Sequence, residues 1–182
     1  MLYTHIYMKN IILKSIIILF ICGQSIHVFS EEKPEHCSMN TIEVYIDDPD
    51  TSGTNIRKSP GGEVIMKIDN NKNSHWMDLT ESRNGWFKIQ GPIWSTAENI
   101  ELPSGEAWIH GSVISIDTRN YGQQPLELLS KPVDGVPVYK FVEEIGLELK
   151  DFCGEWAKVS HEGKTGWIES NWLCGHPLTL CN

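Results

Sequence analysis

Two stretches of this chain repeat each other. Gly85-Trp86-Phe87-Lys88-Ile89 and Glu155-Trp156-Ala157-Lys158-Val159 both run tryptophan, apolar residue, lysine, β-branched residue. Each is followed by a glycine-led segment with its own tryptophan. These are Gly105-Glu106-Ala107-Trp108-Ile109-His110 and Gly163-Lys164-Thr165-Gly166-Trp167-Ile168-Glu169. Both then reach a serine and an apolar pair, Ser112-Val113-Ile114 and Ser170-Asn171-Trp172-Leu173. A looser match precedes them, Thr54-Asn55-Ile56-Arg57-Lys58-Ser59-Pro60 against Pro125-Leu126-Glu127-Leu128-Leu129-Ser130-Lys131-Pro132. An ordered repeat of this kind predicts two copies of one unit of about 60 residues. Trp86 and Trp108 are 22 residues apart, but Trp156 and Trp167 only 11. The first copy therefore carries an insertion over about 91–101, expected to extend a hairpin.

The unit is built from strands. Short β-rich runs lie between Gly, Pro, Asn and Asp: Glu43–Ile46, Glu63–Ile68, Trp76–Leu79, Trp86–Ile89 and Ala107–His110. A second series follows at Leu126–Leu129, Leu147–Leu149, Trp156–Val159 and Gly166–Ile168. Turn signals about every ten residues and no long helical period predict an all-β barrel or sandwich. Alternation sets the faces. Phe87 and Ile89, like Ala157 and Val159, point one way, and Trp86, Lys88, Trp156 and Lys158 the other. Ala107 shares a face with Ile109, and Trp108 with His110.

Asn55-Ile56-Arg57 before a Ser-Pro turn, Gly85-Trp86-Phe87-Lys88-Ile89 and Gly105-x-Ala107-Trp108-Ile109 resemble the bacterial SH3-like (SH3b) family. That family's pattern is an Asn-Val-Arg strand, a Trp-x-x-Val strand and a Gly-x-x-Gly-Trp-Val hairpin. The second copy matches it through Trp156-x-Lys158-Val159 and Gly163-x-x-Gly166-Trp167-Ile168, but has Leu126-Glu127-Leu128 in place of the Asn-x-Arg signature. The resemblance covers about Ile42 to Leu173. It implies an all-β fold of two small SH3-like barrels in tandem. It also implies a role in binding cell-wall peptide, with Asp48, Trp86, Trp108 and His110 as the ligand-binding candidates. The boundaries follow: 1–30 signal peptide, 31–41 N-terminal arm, 42–116 module 1 and 117–124 linker. Module 2 is then 125–173, and 174–182 a disulfide-clipped C-terminal tail.

The N-terminus reads as an export signal. Lys9 and Lys14 are the only charges in the first thirty residues, and Ser15–Cys22 is an apolar run too short to span a bilayer. Val28-Phe29-Ser30 puts small residues at the places a signal peptidase requires, so cleavage is expected after Ser30, with translation starting at Met1 or Met8. A lipoprotein signal through Cys22 is the weaker reading, because Ile21 is bulky. The expected location is periplasmic or secreted. Export leaves Cys37, Cys153, Cys174 and Cys181, an even set that reads as two disulfides in any of three pairings. Cys174–Cys181 with Cys37–Cys153 is favoured, the long loop contributing about 4–5 kcal/mol in the chain-entropy model. A zinc site is disfavoured because no Cys-x-x-Cys pair is present.

Charge and motif exclude several function classes. The net charge of -9 falls to -11 once Lys9 and Lys14 leave with the signal, and so acidic a body is repelled by phosphate backbones and anionic lipid. Nucleic acid is not an expected partner, nor is a membrane after signal removal. No Gly-x-Ser-x-Gly elbow or His-Glu-x-x-His helix is present. Cys153 with His161 or His110 would be the one thiol pairing available, and bridging removes it. Asp48-x-Asp50-x-Ser52-Gly53 has Ser59 where a calcium loop needs its bidentate Glu, so it reads as a turn rich in Asp and Gly. The expectation is a non-catalytic binding protein with no cofactor and no metal. Seven tryptophans fit small cores and a binding groove, with Trp86, Trp94 and Trp108 expected to be the exposed ones. The alternative is a protein-binding inhibitor or immunity factor that uses the Trp94-bearing insertion against a secreted partner.

Overall fold

The computed structural model describes residues 41–103 and 105–178, all within one compact unit, Pro34–Asn182. The signal segment, most of the arm, and Cys37 and Cys181 of the pairing lie outside these residues. The chain is all-β. The first copy runs β1 (Ile42–Ile46), β2 (Thr54–Arg57), β3 (Val64–Ile68), β4 (His75–Arg83), β5 (Trp86–Ser95) and β6 (Trp108–His110). A 3-10 turn (Gly111–Val113) then leads into β7 (Ile114–Thr118). The second copy runs β8 (Leu126–Leu129), β9 (Pro137–Phe141), β10 (Gly146–Cys153), β11 (Trp156–His161) and β12 (Lys164–Glu169). A second 3-10 turn (Ser170–Trp172) leads into β13 (Leu173–Cys174).

The strands lie in the order β3-β2-β6-β5-β4-β1-β7-β10-β11-β12-β8-β9, with β13 on β7. All pairs are antiparallel. Reading outwards from the centre, β4-β5-β6-β2-β3 mirrors β10-β11-β12-β8-β9, so the internal repeat is a repeat of topology. It extends to irregularities. A register shift falls between Leu79 and Glu81 in β4 and between Leu149 and Asp151 in β10. Another falls just before Arg57 in β2 and just before Leu129 in β8. Bulges at matched places give both copies the same local twist.

Three expectations change here. The pairing forms one open sheet, where two closed barrels were expected. The reason is β7. It pairs with β1 through Ser115 and Ile114, with β13 through Thr118 and Asp117, and with β10 along its other edge. β1 pairs with β4 and β7 just as β7 pairs with β10 and β13. One strand thus ends the first copy and begins the second. The expected linker 117–124 accordingly loses Asp117 and Thr118 to β7. The pairing also shifts the alignment of the early strands. Arg57 faces Trp108 and Leu129 faces Trp167, so Leu129 occupies the Arg57 place, and Leu128 is buried like Ile56.

Alternation builds the core. Val44, Met77, Leu79, Phe87, Ile109 and Ile114 of the first copy are buried with Leu128, Leu147, Leu149, Ala157 and Val159 of the second. Phe87 stacks on Phe152 at 6.1 Å, joining the two halves. Gly111 passes so close to β10 that a Cβ there would stand 2.7 Å from the Leu149 carbonyl oxygen. The insertion does extend a hairpin: β5 continues to Ser95, and Ile93 and Ile100 exchange backbone hydrogen bonds of 2.9 and 2.8 Å.

Candidate functional site

Of the four expected binding residues, two meet. Trp86 opens β5 directly opposite His110, the last residue of β6, so both side chains rise from the same face. Their rings pack edge to face at 4.9 Å and 67°. The Arg57 guanidinium, reaching from the end of β2, stands 5.8 Å from the centre of the Trp86 ring, within cation–π range. It is held there by donating from Nη1 to the Gly62 carbonyl at 2.7 Å. His110 caps the 3-10 turn. Its Nδ1 accepts from the Ser112 backbone N–H at 3.2 Å and lies 2.8 Å from the Ser112 hydroxyl. With Nδ1 accepting, the proton of the neutral imidazole sits on Nε2. Arg57, Trp86 and His110 are all half-buried, and together they offer an aromatic ledge with a positive edge.

Trp108 and Asp48 do other work. Trp108 shares the His110 face, as alternation requires, but its side chain is fully buried. Arg83 lies over its ring at 5.0 Å, and its indole N–H donates to Glu106 at 3.2 Å. Lys88 in turn pairs with Glu106 at 2.6 Å. Long charged side chains thus roof over a tryptophan that the pattern alone leaves open to solvent. Asp48 organises the loop between β1 and β2. Its carboxylate accepts from the Thr54 hydroxyl at 2.8 Å and the Asp50 N–H at 3.0 Å. Asp50 accepts from the Ser52 N–H, and Gly53 takes φ +100°, so the acidic stretch is a turn. Thr54 and Arg57 begin and end β2, about 10 Å apart at strand rise, so Asp48 stands away from the Trp86 ledge. Among the described residues no group of three His, Cys, Asp or Glu side chains is placed to hold a metal ion. Nor is any helix there long and apolar enough to cross a membrane. Cys153 and Cys174 are each disulfide-bonded.

Two further features escaped the sequence reading. One is a cleft of about 280 Å³ in the second copy, between β8, the start of β11 and the 3-10 turn, with Trp156 and Trp172 in its wall. The signal was present: Trp156 and Glu169 sit at the places of Trp86 and His110. The other lies on the outer face of β1, β4 and β5. Trp76 pairs across the strands with Trp94 and packs on His176 at 4.4 Å. Glu43 and Asp78 face each other beside it. Burial holds both carboxyls above the usual range; at Glu43 His176 opposes that shift and Asp78 adds to it. Gly175 lets the tail cross there, since a Cβ would stand 1.9 Å from the Glu43 carbonyl oxygen.

No family model matches the chain, and no curated protein matches it. Among solved structures, NlpC1 from Trichomonas vaginalis is similar over 76% of this chain and 48% of its own, with 15% identity and a TM-score of 0.31. NlpC2 from Trichomonas vaginalis is similar over 75% of this chain and 48% of its own, with 14% identity and a TM-score of 0.30. The chain spans about half the length of the solved structures it matches.

Proposed function

We propose that this protein is an exported, non-catalytic binding protein of the bacterial cell envelope, built from two SH3-like modules, that holds cell-wall peptide. The observation that carries this reading is the half-exposed ledge of Arg57, Trp86 and His110. A flat indole takes peptide backbone or an aliphatic stem at low entropic cost. The guanidinium beside it attracts a free carboxylate, which wall peptides carry. Disulfide-bonded cysteines are in keeping with export. The test is sedimentation of the protein with purified peptidoglycan. Binding is expected to fall about tenfold or more in Trp86→Ala, a loss typical of a central aromatic contact.

The rival reading is a protein-binding inhibitor or immunity factor. It is favoured by the extended β4–β5 hairpin, which sets Trp94 beside Trp76 in a half-exposed aromatic pair. Capture of one stoichiometric partner, lost when 91–101 is deleted, would support this role over wall binding.

A further inference from the structure

The repeat builds the same place twice with opposite chemistry. In the first copy Trp86 faces His110 and Arg57 faces Trp108. In the second, Trp156 faces Glu169 and Leu129 faces Trp167. The last residue of the 3-10 turn changes from Val113 to Trp172. Arginine and histidine thus give way to leucine and glutamate, and a second indole is added. What results is a cleft walled by Leu129, Pro125, Trp156, Trp172 and Glu169.

Its charge is uncommitted. His110 spends its Nδ1 capping the first 3-10 turn, whereas Glu169, at the corresponding cap position, makes no side-chain cap hydrogen bond. The Glu169 side chain is exposed and has no ion-pair partner among the described residues. Glu127, the other acid of the lining, is engaged by Lys140 at 2.5 Å. A second cleft adjoins across Glu169 and adds Glu155 to the same rim. At about 280 Å³ the walled part takes one or two side chains. Most of the wall is apolar, which favours side chains over a sugar with its many hydroxyls.

We propose that this second-copy cleft is a separate binding site for a peptide segment carrying a lysine or arginine next to an aliphatic residue. The cation meets Glu169 in a charge-assisted contact, and its stem crosses the Trp156 and Trp172 rings. The aliphatic neighbour rests on Leu129 and Pro125. This site does not depend on the wall-peptide reading of the Trp86 ledge, whose charge preference is the reverse.

The test uses acetyl-Leu-Arg-Leu-amide and acetyl-Leu-Glu-Leu-amide as probes, with the indole N–H signals of the protein followed by NMR. The arginine peptide is expected to move the Trp156 and Trp172 signals and leave Trp86 in place. Glu169→Gln is expected to weaken it about tenfold, and Glu169→Lys to reverse the preference toward the glutamate peptide. Glu169 is exposed, so both variants keep the fold, which their amide spectra check. Equal affinity for the two peptides, shifts at Trp86 alone, or no shift at millimolar peptide would overturn the proposal. Trp86→Ala should leave this binding unchanged, which separates failure here from failure of wall binding.

Discussion

Trp86 and Trp108 lie one strand apart in the sheet and are equally tryptophan, yet their substitution is expected to differ sharply. Trp108 is fully buried under Arg83 and Glu106, so Trp108→Ala should cost about 3–5 kcal/mol in a urea titration. Trp86 is half-buried on the open ledge, so Trp86→Ala should cost about 1 kcal/mol or less. Equal losses would contradict the assignment of one to structure and the other to binding. His75 gives a pH prediction. Its Nδ1 is buried without a hydrogen-bond partner, and burial holds the imidazole below its ordinary 6.5. Between the lowered value and 6.5 the unfolded chain binds more protons than the native one. The stability tied to neutral His75 is therefore complete above 6.5 and is lost as pH falls through the folded value. His75→Gln should reduce the drop in Tm between pH 7.5 and 5.5; an unchanged drop would refute this.

The elements were legible in proportion to the turn and tryptophan signals around them. β5, β11 and β12 announce themselves through Trp-x-Lys and Gly-Trp, and β6 through Gly105-x-Ala107-Trp108. The buried faces follow from alternation, as Phe87, Ile89, Ala157 and Val159 bear out. β9 starts at Pro137, a residue that argues against a strand except at an edge, and an edge is where it lies. The shared role of β7 could not be read, because Ile114–Thr118 alternates normally and nothing local says that one strand serves two copies. Likewise Leu129 stands in the Arg57 place because it faces Trp167 as Arg57 faces Trp108, a one-residue offset from the Leu126-Glu127-Leu128 match that only the strand pairing shows. The ledge was half legible. The faces of Trp86 and His110 follow from alternation, whereas the covering of Trp108 depends on Arg83 from another strand and the tethering of Asp48 on Asp50 in its own loop and Thr54 at the start of β2. At this scale the account predicts that a fragment starting at residue 125 does not fold. It lacks β7, the strand on which β10 and β13 pair. A dispersed amide spectrum from that fragment would contradict the shared-strand topology.

Across the molecule, one continuous sheet carries two related aromatic places of opposite charge. The first is edged by Arg57 and His110 and the second by Glu169, while the chain as a whole is acidic at -9. On the proposed function, a carboxylate-bearing ligand would be repelled by the body at long range and held only where Arg57 and Trp86 meet it, so that recognition would depend on that ledge and not on overall charge. The most direct measurement is sedimentation of the protein with purified peptidoglycan at physiological salt, side by side with Trp86→Ala and Arg57→Leu. The account predicts that the wild type sediments with the wall, and that both variants stay folded but remain in the supernatant. No sedimentation of the wild type above an unrelated acidic control, or equal sedimentation of all three, would contradict it.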